Sequence, residues 1–352
     1  MLRPETVGLL ICPACGAGDL QAQIFGFGEE GSIASGVLHC RSCRHWFPVE
    51  DGILELLIGG LAYPEDRSRF WKAHEEVLRQ LGLAPDAPHP AGQNDDAVAR
   101  QQAHFDWYAD NETQTYAAYE ATPFWRGADA IAFGEWRNLV RPGGRLLDAG
   151  CAQGRSTFPW MDLDIDVVGF DISKPLIRQA SERYRRAHPR ARASFFVADA
   201  TRFPLRSASF DYVLGYGVLH HFPDPALTCR EIVRVLRPGG LFLGSENNQT
   251  VFRGLFDLLQ RIHPIWHEEA GAHALISEKD MRSWLEPAGC EVSVRTSVFL
   301  PPHVANWFSD AAAEKLLRAT DRIAGWFPFT RKQGGLLLVR AEKSGRSPSP
   351  AG

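Results

Sequence analysis

The sequence lacks any uncharged apolar run of about 18 residues, the length that a membrane-spanning helix requires. We also expect no secretory leader, because the apolar stretch Val7–Ile11 is too short and has no suitable basic flank. No internal repeat is present, which excludes the repeat architectures. We therefore expect a chain without a transmembrane segment.

Net charge is also small. The formal charge of −4 over 352 residues gives no strong global attraction to nucleic acid or to an anionic membrane. Hydrophobic residues make up 45% of the chain and charged residues 23%, which is ordinary for a globular protein. The length suits about two domains, and the chain can bury a sizeable core.

Cysteine is sparse and unevenly placed. Four of the seven cysteines form two Cys-x-x-Cys pairs with 24 residues between them, whereas Cys151, Cys229 and Cys290 are scattered. An odd count with this paired spacing favours a metal in a reducing compartment over a disulfide framework, so we expect a cytoplasmic protein. The pairs predict a structural Zn²⁺ site with the ligands Cys12, Cys15, Cys40 and Cys43. His39 and His45 are spare candidates that we interpret as surface residues.

Composition divides the chain into blocks. Residues 1–60 form a candidate zinc ribbon, which resembles the small zinc modules fused to, or partnered with, methyltransferases. Residues 61–140 read as a helical linker and lid region, interrupted by a loop rich in Pro, Ala, Gly and Asp at 82–99. Residues 141–343 form the main domain, with inserts at 250–275 and 301–333, and we expect 344–352 to be a disordered tail.

From Arg145 onward, short apolar runs alternate with amphipathic, helix-like stretches near 155–162, 174–187 and 225–236. This alternation predicts an α/β fold with a doubly wound, mainly parallel sheet. The predicted strands are Arg145–Ala149, Val167–Phe170, Ser194–Val197, Tyr212–Leu214, Leu241–Gly244, Glu291–Leu300 and Gly335–Arg340.

The first of these strands ends in a glycine loop, Gly150-Cys-Ala152-Gln-Gly154. Glycines between a strand and a helix allow close backbone approach to a ligand, and a helix N-terminus offers free N–H groups to an anion. Asp171 follows the second strand, 21 positions after Gly150, where an acid can bind a ribose diol. Taken alone, this pattern also suits a dinucleotide dehydrogenase.

Three further features change that interpretation. The loop is Gly-x-Ala-x-Gly and not Gly-x-Gly-x-x-Gly, and the third strand ends at Asp199. The fourth strand continues to Leu219-His220-His221, and a Leu236-Arg-Pro-Gly-Gly240 turn follows. In this order, residues 143–246 resemble the small-molecule branch of class I S-adenosylmethionine-dependent methyltransferases. The resemblance implies a Rossmann-like, seven-stranded sheet whose last strand is antiparallel.

The resemblance also implies how this sequence would bind S-adenosylmethionine. Asp148 and Gly150 would lie at the methionine end, on the loop that includes Ala152 and Gly154; Ala152 stands where glycine is commoner. Asp171 would hold the ribose and Ile172 would pack on the adenine. Asp199 and the backbone of Ala200 would bind the adenine edge, and Gly215 and Tyr216 would lie near the methyl group. The alternatives are an ordinary strand-end acid for Asp148 and turn-forming or N-capping roles for Asp171 and Asp199.

Methyl transfer from a sulfonium depends above all on the alignment of the nucleophile, the methyl group and the sulfur. A base is needed only when the acceptor arrives protonated. His220 and His221 are the catalytic-base candidates, although each can equally be a structural imidazole. Glu246-Asn247-Asn248, beyond the fifth strand, can serve as caps or as catalysts.

We consider nucleic acid an unlikely partner. Residues 1–60 contain three arginines and seven acids, so the ribbon has little attraction for phosphates. The arginine-rich segment Arg178–Arg192 falls on the far half of a helix that points away from the ligand edge, and we interpret it as a solvated face.

The two inserts carry apolar stripes. One alternative is that these stripes pack on the domain. A second is that they cap an apolar pocket, and such a cap would favour a lipid-, quinone- or polyketide-like acceptor. A third is a helix that lies on a membrane surface, but few basic residues support it. Tyr108, Tyr116 and Tyr119 are candidates for a lid. The sequence therefore predicts methyl transfer to a small apolar or aromatic acceptor. An RNA methyltransferase, a non-catalytic scaffold and a dehydrogenase remain as alternatives, and the oligomeric state stays open.

Overall fold

The computed structural model describes residues 2–85, 95–110, 121–187, 192–252, 254, 258, 261–262 and 275–345. Its α-helices in these ranges are α1 (Pro4–Val7), α2 (Pro64–Gln80), α3 (Asp95–Asp110), α4 (Pro123–Trp136), α5 (Lys174–Ala187), α6 (Pro225–Val235), α7 (Glu278–Leu285), α8 (Pro302–Ala305) and α9 (Asp310–Gly325). Its strands are β1 (Leu20–Phe27), β2 (Ile33–Cys40), β3 (Trp46–Glu50), β4 (Ile53–Leu56), β5 (Arg145–Ala149), β6 (Asp166–Asp171), β7 (Arg192–Ala198), β8 (Phe210–Tyr216), β9 (Leu236–Asn247), β10 (Cys290–Ser297) and β11 (Leu336–Lys343).

The chain divides into two compact units. The first comprises Met1–Asp106 and Arg145–Phe210, and the second comprises Trp107–Gly144 and Asp211–Gly352. Both units interleave in sequence, so the predicted boundaries at 60 and 140 do not coincide with this division.

In the first unit the strand order is β1-β2-β3-β4-β7-β6-β5. β1 to β4 form an antiparallel meander, and β4, β7, β6 and β5 run parallel. The central strands are apolar and buried on both faces, as parallel strands covered by helices require. The ribbon is thus continuous with the parallel sheet, through β4 and β7.

In the second unit the order is β8-β9-β11-β10, and β11 is antiparallel to both β9 and β10. From Arg145 onward the described residues form seven strands, three in the first unit and four in the second. The predicted α/β class, the strand number and the antiparallel last strand are confirmed.

One predicted helix is wrong. Residues 155–162 form turns and a single 3₁₀ turn, Phe158–Trp160. Its second residue is a proline, and the hydroxyls of Ser156 and Thr157 bond a buried carboxylate. Side chains held in this way, together with the proline, favour turns over a regular helix.

The insert at 301–333 folds as α8, α9 and a 3₁₀ turn at Thr330–Lys332. Leu317 of α9 is fully buried, and a side-chain carbon added at Gly127 of α4 would lie 2.7 Å from Leu317. This part of α9 therefore packs on α4, whereas Trp307, Trp326 and Phe327 of the same insert are exposed. Most of the insert at 250–275, the tail beyond Gly345, and the lid candidates Tyr116 and Tyr119 lie outside the described residues.

None of the helices in the described part of the chain combines the length and the apolar composition needed to cross a bilayer.

Candidate cofactor site and metal centre

Three acids stand at the carboxyl ends of three neighbouring parallel strands. Asp148 is the next-to-last residue of β5, Asp171 is the last residue of β6, and Asp199 directly follows β7. The strand order β7-β6-β5 brings all three to one edge of the sheet. Ligands bind at this edge in open parallel α/β sheets.

Asp148 organises the loop that follows its strand. Its side chain is fully buried, and Oδ2 accepts hydrogen bonds from Ser156 Oγ at 2.7 Å and Thr157 Oγ1 at 2.6 Å. Oδ1 has no partner among the described residues. Burial raises the pKa of Asp148 to about 6, against the opposing effect of the two hydroxyls. Asp148 thus fixes the loop and keeps one oxygen available.

The glycine loop is tied to the neighbouring strand. The N–H groups of Gly150 and Cys151 donate to the carbonyl oxygen of Phe170 at 2.9 and 3.0 Å. Ala152 N donates to Asp171 Oδ2 at 2.9 Å. These bonds set the loop directly beside the end of β6.

Three loop positions, Gly150, Ala152 and Gly154, have positive φ. Gly154 has φ +94°, and a Cβ there would lie 2.5 Å from the Phe158 ring, so only glycine fits. Ala152 has φ +44°, a conformation that costs a non-glycine residue free energy. The alanine therefore introduces local backbone strain in the loop.

Asp171 joins two loops. It accepts from Ser173 N at 3.0 Å on Oδ1 and from Ala152 N on Oδ2. Burial raises its pKa to about 6, and these N–H donors act in the opposite direction. Each carboxylate oxygen has a second lone pair, so the carboxylate can still accept from a hydroxyl pair.

Asp199 behaves as the turn-forming alternative predicts. It accepts from Thr201 N at 2.8 Å and from Thr201 Oγ1 at 2.6 Å. The residue is half-buried, whereas the following Ala200 is buried. The turn orients the carboxylate, and a carboxylate offers about four acceptor sites, so the turn role and a ligand role are compatible.

In the second unit, the end of β8 packs on α4. Tyr216 OH donates to Asp129 Oδ1 at 2.6 Å, and its ring lies 4.9 Å from that of Phe133. A Cβ at Gly215 would lie 3.0 Å from Phe242, so the strand end is tightly packed. Tyr216 is thereby fixed in place.

His220 forms a buried pair with Glu246 of β9. His220 Nδ1 lies 2.7 Å from Glu246 Oε2, and the two side chains are 8% and 0% exposed. Glu246 Oε1 also accepts from Val218 N at 3.1 Å and Leu219 N at 2.7 Å. An ionised carboxylate only accepts, so with Glu246 ionised its Oε2 accepts from His220 Nδ1. Glu246 is therefore both a cap of the turn Leu219–His221 and the partner of His220.

The four predicted metal ligands come together. The sulfur atoms of Cys12, Cys15, Cys40 and Cys43 all lie within 4.8 Å of one another. Cys12 to Cys43 and Cys15 to Cys40 are both 3.6 Å. Tetrahedral zinc with bonds of about 2.3 Å requires sulfur separations of about 3.8 Å, so the cluster fits Zn²⁺. Asp19 accepts from Ser42 Oγ at 2.8 Å, and this bond fixes the second knuckle.

The comparisons with known proteins agree with this geometry. Residues 147–244 match the family described as methyltransferase domain, and residues 3–52 match that described as Trm112p-like protein. The chain carries a methyltransferase domain preceded by a Trm112p-like zinc ribbon.

Curated relatives match the methyltransferase domain. The chain is 35% identical to 27-O-demethylrifamycin SV methyltransferase of Amycolatopsis mediterranei over 43% of this chain and 56% of the relative. It is 31% identical to demethylmenaquinone methyltransferase of Renibacterium salmoninarum, over 35% of this chain and 54% of the relative. The chain thus spans about half the length of these two relatives.

Among solved structures, a chain of the complex between the Haloferax volcanii Trm112 methyltransferase activator and the putative methyltransferase matches at 21% identity. The match covers 68% of this chain and 97% of that one, with a TM-score of 0.49.

A buried polar network in the first unit escaped the sequence analysis. Lys174, the first residue of α5, donates to Glu55 of the ribbon at 3.1 Å and to Asp66 of α2 at 2.6 Å. Tyr63 OH donates to Asp106 at 2.9 Å and accepts from Lys174 N at 2.9 Å. The available hint was an acid inside the apolar run Ile53–Leu56, which indicates a buried partner.

Proposed function

We propose that the chain transfers the methyl group of S-adenosylmethionine to a small apolar or aromatic acceptor of quinone or polyketide type. The observation that carries the proposal is the row of Asp148, Asp171 and Asp199 at the ends of β5, β6 and β7. A ribose and an adenine each need acceptors at this edge, and a methionine ammonium needs an anion.

The residues have distinct roles in this proposal. Asp148, with its unpartnered Oδ1, faces the amino-acid end through the loop Gly150–Gly154. Asp171 binds the ribose hydroxyls and Ile172 contacts the adenine. Asp199 and the backbone of Ala200 bind the adenine edge. Gly215 and Tyr216 line the methyl end.

S-adenosylmethionine supplies a methyl group on a sulfonium, which is a good leaving group. His220 Nε2 accepts the proton of an acceptor hydroxyl, while Glu246 stabilises the imidazolium through Nδ1. The acceptor oxygen gains the bond to the methyl carbon and the carbon–sulfur bond breaks. This assignment favours O-methylation; His221 stays a second base candidate.

The acceptor class is supported by relatives. One acts on a demethylrifamycin and another on demethylmenaquinone, by their names. A third is 2-methyl-6-phytyl-1,4-hydroquinone methyltransferase of Synechocystis, 33% identical over 34% of this chain and 37% of that one. All three names describe aromatic or quinone-derived acceptors.

Calorimetric titration tests the cofactor first. We expect S-adenosylmethionine and S-adenosylhomocysteine to bind and NAD to fail, and Asp171→Ala to weaken binding at least about tenfold through loss of the two ribose hydrogen bonds. If the folded, zinc-loaded protein binds neither S-adenosylmethionine nor S-adenosylhomocysteine, the proposal is refuted and the scaffold alternative is favoured.

A methylation screen then tests the acceptor. Short-chain hydroquinones, phenolic polyketides and an RNA oligonucleotide are incubated with methyl-labelled cofactor, and products are resolved by mass spectrometry. Label in the hydroquinone or polyketide supports the acceptor class. Label in the RNA alone would overturn it and support the RNA methyltransferase alternative.

A further inference from the structure

The last strand of the zinc ribbon reaches the ligand edge of the sheet. β4 pairs parallel with β7, in the register Leu54 opposite Phe196 and Leu56 opposite Ala198. Both strands therefore end at the same edge, where Asp199 follows β7. The segment after β4 thus occupies a position that ordinarily belongs to a ligand-binding loop.

We call residues 57–61 the ribbon loop. Leu57, Ile58, Gly59 and Leu61 of this loop line a cleft together with Pro13, Asp199 and Arg202. Ile58 is half-buried there, and Gly59 and Gly60 are exposed. The cleft therefore has one wall from the ribbon and one from the segment that follows β7.

The far end of the ribbon loop is tied to the end of β6. Gln102 Nε2 donates to the carbonyl oxygen of Leu61 at 2.9 Å and lies 3.5 Å from that of Ile172. Glu55, two residues before the loop, bonds Lys174, two residues after Ile172. The loop is thus held beside both Ile172 and Asp199.

We propose that the ribbon loop is the outer wall of the adenosine end of the cofactor site. The inference rests on the proposed function, because it takes Ile172 and Asp199 as the adenine contacts. Ile58 supplies an apolar surface at the open side of the purine, which lowers the solvent exposure of the bound ring. The ribbon is then a part of the cofactor site as well as an extension of the sheet.

Bulky side chains in the cleft test this assignment. The two cleft variants are Ile58→Trp, at a lining residue, and Gly60→Trp, next to the lining residue Gly59. Both are made in the full chain, and binding of S-adenosylhomocysteine and of adenosine is measured by calorimetry. Gly60 has open space around it, so its variant can fold without a clash. Gln23→Trp, an exposed position on β1, is the control for a new tryptophan on the ribbon.

We expect both cleft variants to weaken both ligands at least about tenfold, with unchanged zinc content and melting temperature, and Gln23→Trp to bind normally. Wild-type affinity in both folded cleft variants would overturn the inference and leave the proposed function intact. Failure of the wild-type protein to bind S-adenosylhomocysteine would instead refute the proposed function.

A separate surface of the second unit carries an independent inference. Residues 322–332, which we call the aromatic turn, leave four large apolar side chains exposed, and these are Ile323 at 53%, Trp326 at 70%, Phe327 at 56% and Phe329 at 64%. Large exposed apolar patches mark interaction sites.

The charged residues within the aromatic turn have one sign. Arg322, Arg331 and Lys332 are exposed, and the aromatic turn contains no acid. The nearest acid in sequence, Asp321, is turned inward, where it accepts from Val298 N at 2.8 Å. Lys332 has one acidic neighbour, Glu278, at 3.8 Å.

We infer that the aromatic turn binds the surface of an anionic lipid bilayer. Exposed tryptophan and phenylalanine beside arginine and lysine match the apolar boundary and the phosphates of such a surface. Arg322 lies at the end of α9, and Arg331 and Lys332 lie in the turn after it. The sequence pattern of the helix alone therefore contains few basic residues.

Vesicle sedimentation of the full chain tests this surface. The probes are phosphatidylcholine vesicles with and without a quarter of phosphatidylglycerol. The variants are a triple Trp326→Ser, Phe327→Ser, Phe329→Ser change and a double Arg322→Gln, Arg331→Gln change. Phe27→Ser, an exposed aromatic on the ribbon, is the control.

We expect wild type and the control to bind anionic vesicles, and the triple variant to partition into them at least about tenfold less. The double variant should lose binding to the anionic vesicles and keep the partitioning of wild type into phosphatidylcholine vesicles. Equal partitioning of wild type and triple variant would overturn the inference. Self-association on size exclusion that the triple change abolishes, without vesicle binding, would overturn it in favour of an interface between two copies of the chain.

Discussion

Lys174 Nζ lies 3.1 Å from Glu55 Oε2, and both side chains are at least nine-tenths buried. The pair joins the last strand of the zinc ribbon to the helix that follows Asp171. A buried cation and anion at this point hold the ribbon in register with the ligand edge.

Breaking this pair should destabilise the protein strongly. We expect Glu55→Gln to lower the free energy of unfolding by about 3 kcal/mol, because it removes one of the two ion-pair partners of the buried Lys174 in the described part of the chain and leaves Asp66. Urea denaturation measures this. The exposed pair Arg79–Glu75 is the control, and Glu75→Gln should change stability by less than about 1 kcal/mol. An equally small change in the free energy of unfolding for Glu55→Gln and Glu75→Gln would contradict a structural role for the buried pair.

Zinc should be required for the ribbon to fold. We expect about one zinc per chain by elemental analysis. Cys40→Ser should lose the metal and melt at a lower temperature, because the four thiolates fix a block with a small core. Cys290→Ala, at a buried cysteine outside the cluster, should keep its zinc. Full zinc content in Cys40→Ser would show that the cluster does not bind the metal as proposed.

The two buried acids predict an unusual pH dependence of stability. Burial raises the pKa of Asp148 and of Asp171 from 3.8 to about 6 in the folded protein. The folded state then binds more protons than the unfolded state between pH 4 and 6, so stability should fall as pH rises through this window, by up to about 3 kcal/mol per group.

Denaturation at pH 4.5, 5.5 and 6.5 without ligand checks this slope. Asp148→Asn keeps the shape of the side chain and removes one titrating group, so its stability should decline less over the window. An identical slope in wild type and variant would show that Asp148 does not titrate there.

The loop Gly150–Gly154 offers a matched pair of substitutions. Gly154→Ala should cost at least about 2 kcal/mol in stability and weaken cofactor binding, because the new Cβ meets Phe158 at a φ of +94°. Ala152→Gly removes the backbone strain of an alanine with positive φ, so stability should be unchanged or should rise by up to about 1 kcal/mol. Thermal melts and calorimetry measure both, and a harmless Gly154→Ala would contradict the described loop conformation.

The pair His220–Glu246 predicts a separation of kcat from cofactor affinity. His220→Gln should reduce kcat by about 10²–10⁴-fold with little change in cofactor affinity, since it removes the proposed base. Glu246→Gln keeps an oxygen to accept from Val218 and Leu219, so the turn should persist while kcat falls and the KM for the cofactor stays unchanged, because the amide no longer holds the His220 ring as the carboxylate does. His221→Gln tests the second base candidate and should leave kcat nearly unchanged if His220 is the base. An unchanged kcat in Glu246→Gln would remove its positioning role.

The local patterns of the sequence determined much of this protein. The four zinc ligands, the alternation of strands and helices, and the order of Asp148, Asp171 and Asp199 all follow from spacing within a few dozen residues. Such spacing is informative because strand periodicity, knuckle geometry and strand-end loops depend on neighbouring residues.

The tertiary structure alone decided the rest. Pairing of β4 with β7, the bond between Glu55 and Lys174 and the pair His220–Glu246 join residues far apart in the chain. The expected helix at 155–162 failed because two of its side chains turn inward to Asp148. These contacts depend on which surfaces meet when the sheet assembles, and a linear pattern of apolar and polar residues does not specify that choice.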